Sequence, residues 1–172
     1  VSQSAMSKIY MEGKGEDMSG QPSALVAVPL FHVTGEVPLF LQSIAIGRKL
    51  VLMPKWDAEE AMRLIEAEGV TYFVGVPLMS FEMASHPNRG NYDLSACKSF
   101  AAGGSPRPVE HVNKIKESFP GGFPLLGYGL TETNAVGCGN FNENYLAKPG
   151  STGTPSKPMV ELAILDDDGN AL

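Results

Sequence analysis

Residues 126–133, Leu126-Gly127-Tyr128-Gly129-Leu130-Thr131-Glu132-Thr133, combine glycines, an aromatic ring, hydroxyls and a carboxylate after a short apolar run. Glycines let a ligand approach the backbone closely, Tyr128 offers a flat face for stacking, and Glu132 offers a hard oxygen ligand for magnesium. A strand followed by a tight turn and a polar cluster is typical of the carboxyl edge of an open α/β sheet, where ligands bind. A strand-to-helix turn with an ordinary polar cap is the alternative for this stretch alone.

Short apolar segments that end in glycine- or proline-rich turns recur along the chain. They predict strands over residues 25–29, 50–53, 71–76, 99–102 and 123–126. Helical segments are predicted between them, over residues 35–46, 57–68 and 78–84 and from Val109 onward. Alternating strands and helices predict an α/β fold, an open and mainly parallel sheet flanked by helices. The turns after residues 31, 102 and 126 should then share one edge of the sheet and form one pocket.

Two of these helices carry detailed predictions. Asp57 and Glu60 have capping-box spacing, Gly69 is expected to end the same helix, and Glu59 should pair with Arg63. In the helix over residues 35–46, Thr34 is the expected N-cap. Apolar residues cover most of that helix's circumference, so we expect it to be buried.

The end of the sequence predicts a change of sheet. Val160, Leu162 and Ile164 alternate with other residues, which is typical of a strand with one solvated face. A strong turn pattern follows over residues 166–170. We therefore expect residues 1–155 to form an α/β subdomain and residues 156–172 to begin a β subdomain. The strand that should return after the turn is missing, so we also expect the chain to be part of a longer protein.

Composition narrows the class of protein. The 172 residues are 43% hydrophobic and 19% charged, with a net charge of −6, which argues against a nucleic-acid-binding footprint. Cys97 and Cys138 lie far apart without zinc-ligand spacing, which favours free thiols in a reducing compartment. The sequence contains neither an apolar run of membrane-spanning length nor a charged-then-apolar leader. A cytoplasmic protein is expected.

Several common catalytic motifs do not fit. Gly103-Gly104-Ser105-Pro106-Arg107 has arginine where a nucleophile elbow needs glycine. Gly127-Tyr128-Gly129 begins like a dinucleotide fingerprint, but Glu132 would place a negative charge beside the pyrophosphate. Gly13-Lys14-Gly15 lacks the spacing of a phosphate loop and predicts a solvated loop. His32 is either a general base or metal ligand, or a packed and hydrogen-bonded histidine.

Four motifs occur in a characteristic order. Together they resemble the adenylate-forming superfamily of acyl-CoA synthetases, nonribosomal peptide synthetase adenylation domains and firefly-type luciferases. The resemblance implies that a carboxylic acid reacts with ATP, assisted by Mg²⁺, to form an acyl-adenylate, and that a thiol, usually coenzyme A, then takes the acyl group. The motifs are Pro29-Leu30-Phe31-His32-Val33-Thr34-Gly35, Ala102-Gly103-Gly104-Ser105-Pro106, Tyr128-Gly129-Leu130-Thr131-Glu132-Thr133 and Lys148-Pro149-Gly150-Ser151-Thr152-Gly153.

The resemblance also implies residue roles. Adenine would lie between the Tyr128 ring and the backbone of Gly103 and Gly104, Thr131 would bond the α-phosphate, and Glu132 would bind Mg²⁺. His32 would line or gate the carboxylate pocket, and it is taken as catalytic together with Thr131 and Glu132. The full nucleotide-binding set is Gly103, Gly104, Ser105, Gly127, Tyr128, Gly129 and Thr131. The acyl-pocket set is Phe31, His32, Val33, Ala102, Val136 and Gly137. The resemblance thus implies that residues 1–155 are a nucleotide- and acyl-binding subdomain.

The sequence departs from the family pattern in informative ways. Ala102 stands where many members have serine, and the family's phosphate loop, ribose-binding aspartate and catalytic lysine would fall outside residues 1–172, so this chain alone is expected to be inactive. Between Phe31 and Leu39 the only carboxylate is Glu36, whereas amino-acid-activating members place an aspartate there. A fatty or aromatic acid and a ligase that uses coenzyme A are therefore favoured. A member with another acyl acceptor and a non-catalytic nucleotide-binding or interaction module are the alternatives.

Overall fold

One seven-stranded sheet forms the centre of the computed structural model, which describes residues 20–172. The strand order is β2-β1-β3-β4-β5-β6-β7. The predicted loop at residues 13–15 lies outside the described residues. The strands are β1 (Ser23–Val26), β2 (Lys49–Leu52), β3 (Tyr72–Gly75), β4 (Ser99–Ala102), β5 (Phe123–Tyr128), β6 (Cys138–Asn140) and β7 (Thr154–Pro155).

Strands β1 to β5 run parallel, and their connections carry the helices. Strands β6 and β7 then pair antiparallel at the β5 edge. The predicted α/β fold with a mainly parallel sheet flanked by helices is confirmed. The helices are α1 (Val33–Gly35, Glu36–Leu41 and Gln42–Ile46), α2 (Ala58–Glu68), α3 (Pro77–Ser85), α4 (Val109–Ser118) and α5 (Asn142–Ala147).

Successive residues of each buried strand face opposite sides of the sheet, so the sheet has a core on both faces. On one face Leu25, Phe73 and Phe100 pack with residues of α2, α3 and α4 such as Met62 and Ile115. On the other face the strand residues Ala24, Val26, Val74 and Ala101 pack with Leu39 of α1. Helix α1 is therefore the element that covers the second face next to the predicted pocket.

Helix α2 follows the sequence prediction closely. The Asp57 side chain accepts a hydrogen bond from the Glu60 N–H at 2.9 Å, and Gly69 ends the helix in a left-handed conformation. The predicted pair between Glu59 and Arg63 is wrong, because Arg63 forms a bidentate contact with Glu60. Glu59 instead accepts hydrogen bonds from residues of the loop after α3.

Helix α1 differs from the prediction at its start and in its burial. His32, not Thr34, caps it, since His32 Nδ1 accepts a hydrogen bond from the Thr34 N–H at 3.2 Å. The middle of the helix is a π-helical turn that contains Pro38. The expected full burial is wrong: Leu39 is buried, whereas Ile44 is 66% exposed and Phe40 and Leu41 are also exposed.

The π-helical turn leaves a carbonyl group for another partner. The Gln42 N–H donates to the carbonyl oxygens of Val37 and Leu39 and bypasses Pro38. Arg48, which follows the helix, donates from Nη1 to the Pro38 carbonyl oxygen at 3.2 Å. This contact fixes the guanidinium group of Arg48 beneath the middle of α1.

The C-terminal segment does not form the predicted strand. Residues 160–164 form no strand, and an isolated antiparallel bridge joins Leu165 to Ala171 outside the seven-stranded sheet, with the Leu172 N–H donating to the Ile164 carbonyl at 2.9 Å. The predicted turn is confirmed: the Gly169 N–H donates to the Asp166 carbonyl, and the Asp166 carboxylate accepts from the Asn170 N–H at 2.8 Å. Within residues 20–172, every helix is too short or too polar to cross a membrane.

Candidate active site

A cavity of about 380 Å³ lies between α1 and the sheet and opens at the carboxyl ends of β4 and β5. The three segments predicted to converge do meet there, since the lining includes residues from the turns after β1, β4 and β5. Its lining consists of His32, Val33, Thr34, Pro38, Tyr72, Val74, Ala101, Ala102, Gly103, Gly104, Leu125, Gly127, Gly129, Leu130, Thr131, Glu132, Ala135, Val136, Gly137, Cys138, Phe141 and Ser156.

In the turn after β5, one side chain stabilises the turn itself and two others remain free to contact a ligand. The Leu130 N–H donates to Thr133 Oγ1 at 3.0 Å, and that hydroxyl donates to the Leu130 carbonyl at 3.1 Å. Thr133 therefore closes the turn. Among the residues that the structure describes, the side chains of Thr131 and Glu132 make no hydrogen bond or ion pair. Both remain available to a ligand at the cavity.

Backbone strain is concentrated in the same turn. Asn134 and Ala135 have φ values of 51° and 63°, in the left-handed region that residues other than glycine rarely occupy. Such conformations persist where the surrounding structure holds them, and they cluster at functional sites. A Cβ atom on Gly129 would overlap the Ala135 backbone, and one on Gly137 would overlap the Tyr128 carbonyl. Glycine at these two positions thus lets the turn fold back against β5.

The loop after β4 brings a second glycine backbone to the cavity. The Gly103 N–H donates to the carbonyl of Gly75 at 3.2 Å, which continues the ladder between β3 and β4 by one residue. Gly104 has a φ value of 78°, so the chain turns sharply there. A Cβ atom on Gly103 would lie 3.3 Å from the Gly127 carbonyl oxygen. The two glycine loops therefore lie in close contact, and their peptide groups face the cavity without side chains.

His32 is placed by the start of α1. Its N–H donates to the Pro29 carbonyl at 3.1 Å, and its side chain caps the helix through Nδ1. Because Nδ1 accepts a hydrogen bond, the proton of the neutral ring lies on Nε2. His32 is therefore a hydrogen-bonded histidine that is exposed and not packed in a core, and its ring lines the cavity. A role as general base or metal ligand stays a prediction. The Nε2–H group is a donor for a ligand.

Most of the predicted site residues line the cavity, but three do not. Phe31 is 91% exposed, and Ser105 is exposed on the loop after β4. Tyr128 is 49% exposed and lies outside the lining. Neighbouring residues of a strand face opposite sides of the sheet. Gly127 faces the cavity, so the side chain of Tyr128 lies on the opposite side of the sheet. An apolar or aromatic residue type in a motif does not reveal which side of the strand end it occupies.

Arg107 is an organising residue that sequence reasoning missed. Its side chain is 6% exposed and donates to the carbonyl oxygens of Phe100 and Leu125 and to the Ser80 hydroxyl, at 3.3–3.4 Å. Burial lowers the pKa of its guanidinium group. Among the described residues it has no carboxylate partner. Arg107 thus anchors the glycine loop to β4, β5 and α3, and a single arginine after a proline carries no pattern that would predict this.

Asn140 is the second organising residue that the sequence did not reveal. It is fully buried, and its Nδ2 donates to the carbonyl oxygens of Lys148 and Ser151 at 3.0 Å each. Its Oδ1 accepts a hydrogen bond from Asn144 Nδ2 at 2.6 Å. These bonds hold the loop that contains Lys148-Pro149-Gly150-Ser151 against β6. The motif at residues 148–153 therefore has a structural task behind the cavity.

The oxygen atoms at the cavity suit a hard cation that is bound jointly by the protein and by a ligand. Within residues 20–172, no cluster of three or more histidine, cysteine, aspartate or glutamate side chains is placed to bind a metal. Glu132 alone supplies a carboxylate, beside the Thr131 hydroxyl. Magnesium typically binds through one or two carboxylates together with the phosphate groups of a substrate. The donor set fits that mode and does not fit a metal held by the protein alone.

The fold and the site define an α/β ligand-binding unit with glycine loops at a switch from parallel to antiparallel strands. The AMP-binding enzyme family matches residues 2–172. The chain belongs to this family.

Individual proteins resemble the chain over most of its length. The long-chain-fatty-acid–CoA ligase of Bacillus subtilis is 36% identical over 155 residues, which cover 89% of this chain and 27% of that protein. The 4-coumarate–CoA ligase-like 4 protein of Oryza sativa is 32% identical over 168 residues, with 97% and 29% coverage. The crystal structure of the N-terminal domain of FACL13 from Mycobacterium tuberculosis has a TM-score of 0.80 and 28% identity and covers 91% of this chain and 39% of its own. The chain thus spans less than a third of the curated relatives' length.

Proposed function

We propose that the intact protein containing this chain activates a carboxylic acid with ATP and transfers the acyl group to coenzyme A. The carboxylate attacks the α-phosphate of ATP, pyrophosphate leaves, and the thiol of coenzyme A then displaces AMP from the acyl-adenylate. One observation carries the proposal: a single cavity joins an apolar surface of the sheet to the unpartnered oxygen atoms of Thr131 and Glu132. The names of the two relatives, both CoA ligases, support the choice of acceptor.

The acid is proposed to lie in the cavity between α1 and the sheet. Val74, Ala101 and Leu125 give that space an apolar wall, which suits a fatty or aromatic acyl group. His32 is proposed to donate from Nε2 to the acid's carboxylate at the open end. Val136 and Gly137 line the same space, while Phe31 is too exposed for direct contact.

The nucleotide is proposed to bind across the edge formed by the two glycine loops. Peptide groups without side chains at Gly103 and Gly104 allow close approach, and the half-exposed Tyr128 ring is free to stack on adenine. Because Tyr128 lies outside the cavity lining, we place the adenine outside the cavity and the phosphates at Thr131. Ser105 would then contact the nucleotide from the exposed loop.

Magnesium is proposed to bind Glu132 together with the phosphates. When bound, Mg²⁺ neutralises the negative charge that develops on the phosphate oxygens. Glu132 and Thr131 position those oxygens, and their lack of protein partners leaves both groups free to do so. Positioning and charge neutralisation of this kind are the main contributions of a protein to reactions at phosphorus.

The proposal is tested by acid-dependent exchange of labelled pyrophosphate into ATP, measured with the intact protein and a panel of fatty and aromatic acids. We expect exchange with at least one acid, followed by formation of its CoA thioester when coenzyme A is added. Nucleotide binding without exchange by any acid would overturn the enzyme proposal in favour of a non-catalytic module. Exchange without thioester formation would instead assign another acyl acceptor. The 172-residue chain by itself is expected to give no exchange.

A matched pair of variants tests the role of Glu132. Glu132→Gln keeps the size of the side chain and removes its charge, so we expect exchange to fall by at least about tenfold and to need more Mg²⁺. Glu143→Gln is the control, because Glu143 is an exposed carboxylate on α5 outside the cavity. Equal losses in the two variants, or an unchanged Mg²⁺ requirement in Glu132→Gln, would contradict the assigned role.

A further inference from the structure

The cavity spans three levels of the sheet that are fixed by strand register. Gly103 and Gly127 form the level at the open edge. Val74 pairs with Ala101, and Ala101 pairs with Leu125, which gives an apolar middle level. The deepest lining residue on the sheet is Tyr72, two residues before Val74 on β3. At about 3.3 Å per residue, Tyr72 lies roughly 13 Å from the glycine level.

Tyr72 brings a polar group to the end of an otherwise apolar space. Its ring packs against the buried cluster that contains Val74 and Ala101 on the α1 face of the sheet. Tyr72 is partly buried, and its hydroxyl group stays accessible to solvent and forms no hydrogen bond with the described residues. A phenol that has no protein partner and lines a cavity is placed to bond the molecule that fills the cavity.

A partly buried cation lies against the same ring. The guanidinium carbon of Arg48 is 4.7 Å from the centroid of the Tyr72 ring, and Arg48 is held there by its bond to the Pro38 carbonyl. Arg48 forms no salt bridge within the described residues, and its Nε has no hydrogen-bond partner. A positive charge over the ring withdraws electron density from the phenol and strengthens its O–H as a donor. Burial raises the pKa of Tyr72, so the phenol keeps its proton at neutral pH.

We propose that Tyr72 selects acids that carry an acceptor oxygen at the end distant from the carboxylate. This inference rests on the proposed function and specifies its substrate class. The Tyr72 hydroxyl donates to that oxygen, the middle level of the cavity holds the apolar body of the acid, and Glu132 and Thr131 hold the reacting end. The fitting acid is about as long as the 13 Å between Tyr72 and the glycine level.

Burial energetics explain why the oxygen matters. A plain hydrocarbon tail that reached Tyr72 would bury the hydroxyl group without a partner, which weakens binding. A tail with an acceptor oxygen restores the hydrogen bond, and a site built around such a bond rejects analogues that lack it. Acids too short to reach Tyr72 gain nothing from a terminal oxygen, because water can still occupy the end of the cavity.

The test uses the intact protein and pyrophosphate exchange with straight-chain acids of increasing length, each compared with its ω-hydroxy and ω-methoxy counterparts. We expect kcat/KM to favour both oxygenated acids by about tenfold at one length and not at shorter lengths. In Tyr72→Phe, which keeps the ring, the preference at that length should fall about tenfold. Tyr92→Phe is the control: Tyr92 bonds Glu59 outside the cavity, so the preference should persist.

Each possible result either supports or overturns the role proposed for Tyr72. An oxygen preference that is absent in the wild-type protein at every length, or that survives in Tyr72→Phe, overturns it while leaving the ligase proposal intact. Exchange with none of the acids overturns both proposals together. Loss of the preference in Tyr92→Phe as well would assign it to a general change in the fold and would also overturn the role of Tyr72.

Discussion

Thr131 and Thr133 are two positions apart in one turn and have separate tasks. Thr133 exchanges hydrogen bonds with the backbone of Leu130, while the Thr131 hydroxyl is left for a ligand. Both residues were visible in the motif, but the motif alone does not tell which hydroxyl builds the turn. That distinction depends on the left-handed residues Asn134 and Ala135, which return the chain over the turn.

Arg107 and Asn140 mark the limit of sequence reasoning at the level of residues. Each acts through hydrogen bonds to carbonyl groups that are distant in the sequence, such as Leu125 for Arg107 and Ser151 for Asn140. Carbonyl partners are the same for every residue type, so no spacing of side chains predicts them. The placement of the glycines, Thr131 and Glu132 at the cavity was predictable, because it follows from their position after the carboxyl ends of neighbouring parallel strands.

Cys97 gives a pH prediction that depends on burial alone. Burial raises the pKa of its thiol to about 12, whereas an exposed thiol in the unfolded chain ionises near pH 8.5. The folded state therefore binds the proton more tightly. The contribution of the protonated Cys97 thiol to the free energy of unfolding is complete below about pH 8.5 and is lost as the pH rises towards 12. We expect the stability advantage of the wild-type protein over Cys97→Ala to shrink by up to about 1.4 kcal/mol per pH unit above 8.5.

Urea unfolding of both proteins at a series of pH values from 8 to 10.5 measures this difference. Buried tyrosines titrate in both proteins, so their effect cancels in the comparison. An advantage of the wild-type protein that stays constant across the series would show that Cys97 is ionised as easily in the folded state as in the unfolded state, contrary to its burial.

Among the elements, α2 was the most predictable because its information is local. Cap, apolar stripe and terminal glycine all lie within residues 57–69. Helix α1 has an equally clear apolar pattern, yet Phe40, Leu41 and Ile44 are exposed. An apolar pattern shows what a helix is able to bury and not which side meets the sheet. The segment over residues 160–164 shows the same for strands, since it alternates but forms no strand, and the returning chain pairs with it through the isolated bridge at Leu165 and Ala171.

The cap of α2 can be tested directly. Asp57→Ala removes the acceptor of the Glu60 N–H, so we expect the free energy of unfolding to fall by about 1 kcal/mol. Asp57→Asn retains an acceptor oxygen at the same position and should stay within about 0.5 kcal/mol of the wild-type protein. Urea denaturation followed by circular dichroism measures both. If Asp57→Asn were as unstable as Asp57→Ala, the charge of Asp57 and not its hydrogen bond would be the stabilising feature.

In the whole molecule, the candidate site lies where the sheet changes direction. Strands β1 to β5 are parallel, and β6 returns antiparallel through the turn over residues 129–137. The sequence predicted the parallel part, because alternating helices and strands define it. It did not predict β6 and β7, which are short and contain glycine and proline. Their pairing follows from the close approach of the turn to β5.

Two glycine substitutions, one on each side of this change of direction, distinguish effects on the stability of the fold from effects on the shape of the cavity. A Cβ atom at Gly137 would overlap the Tyr128 carbonyl oxygen, whereas one at Gly127 meets nothing within 4 Å. We expect Gly137→Ala to force β6 away from β5 and to lower the free energy of unfolding by about 3 kcal/mol or more. Gly127→Ala should change the free energy of unfolding by less than about 1 kcal/mol, because its methyl group enters open space.

The methyl group of Gly127→Ala also narrows the cavity, so this variant should shift acid preference towards slimmer acyl groups while remaining folded. Urea unfolding and the acid panel measure the two effects, and similar stability losses in both variants would show that the close contact at Gly137 does not define the turn.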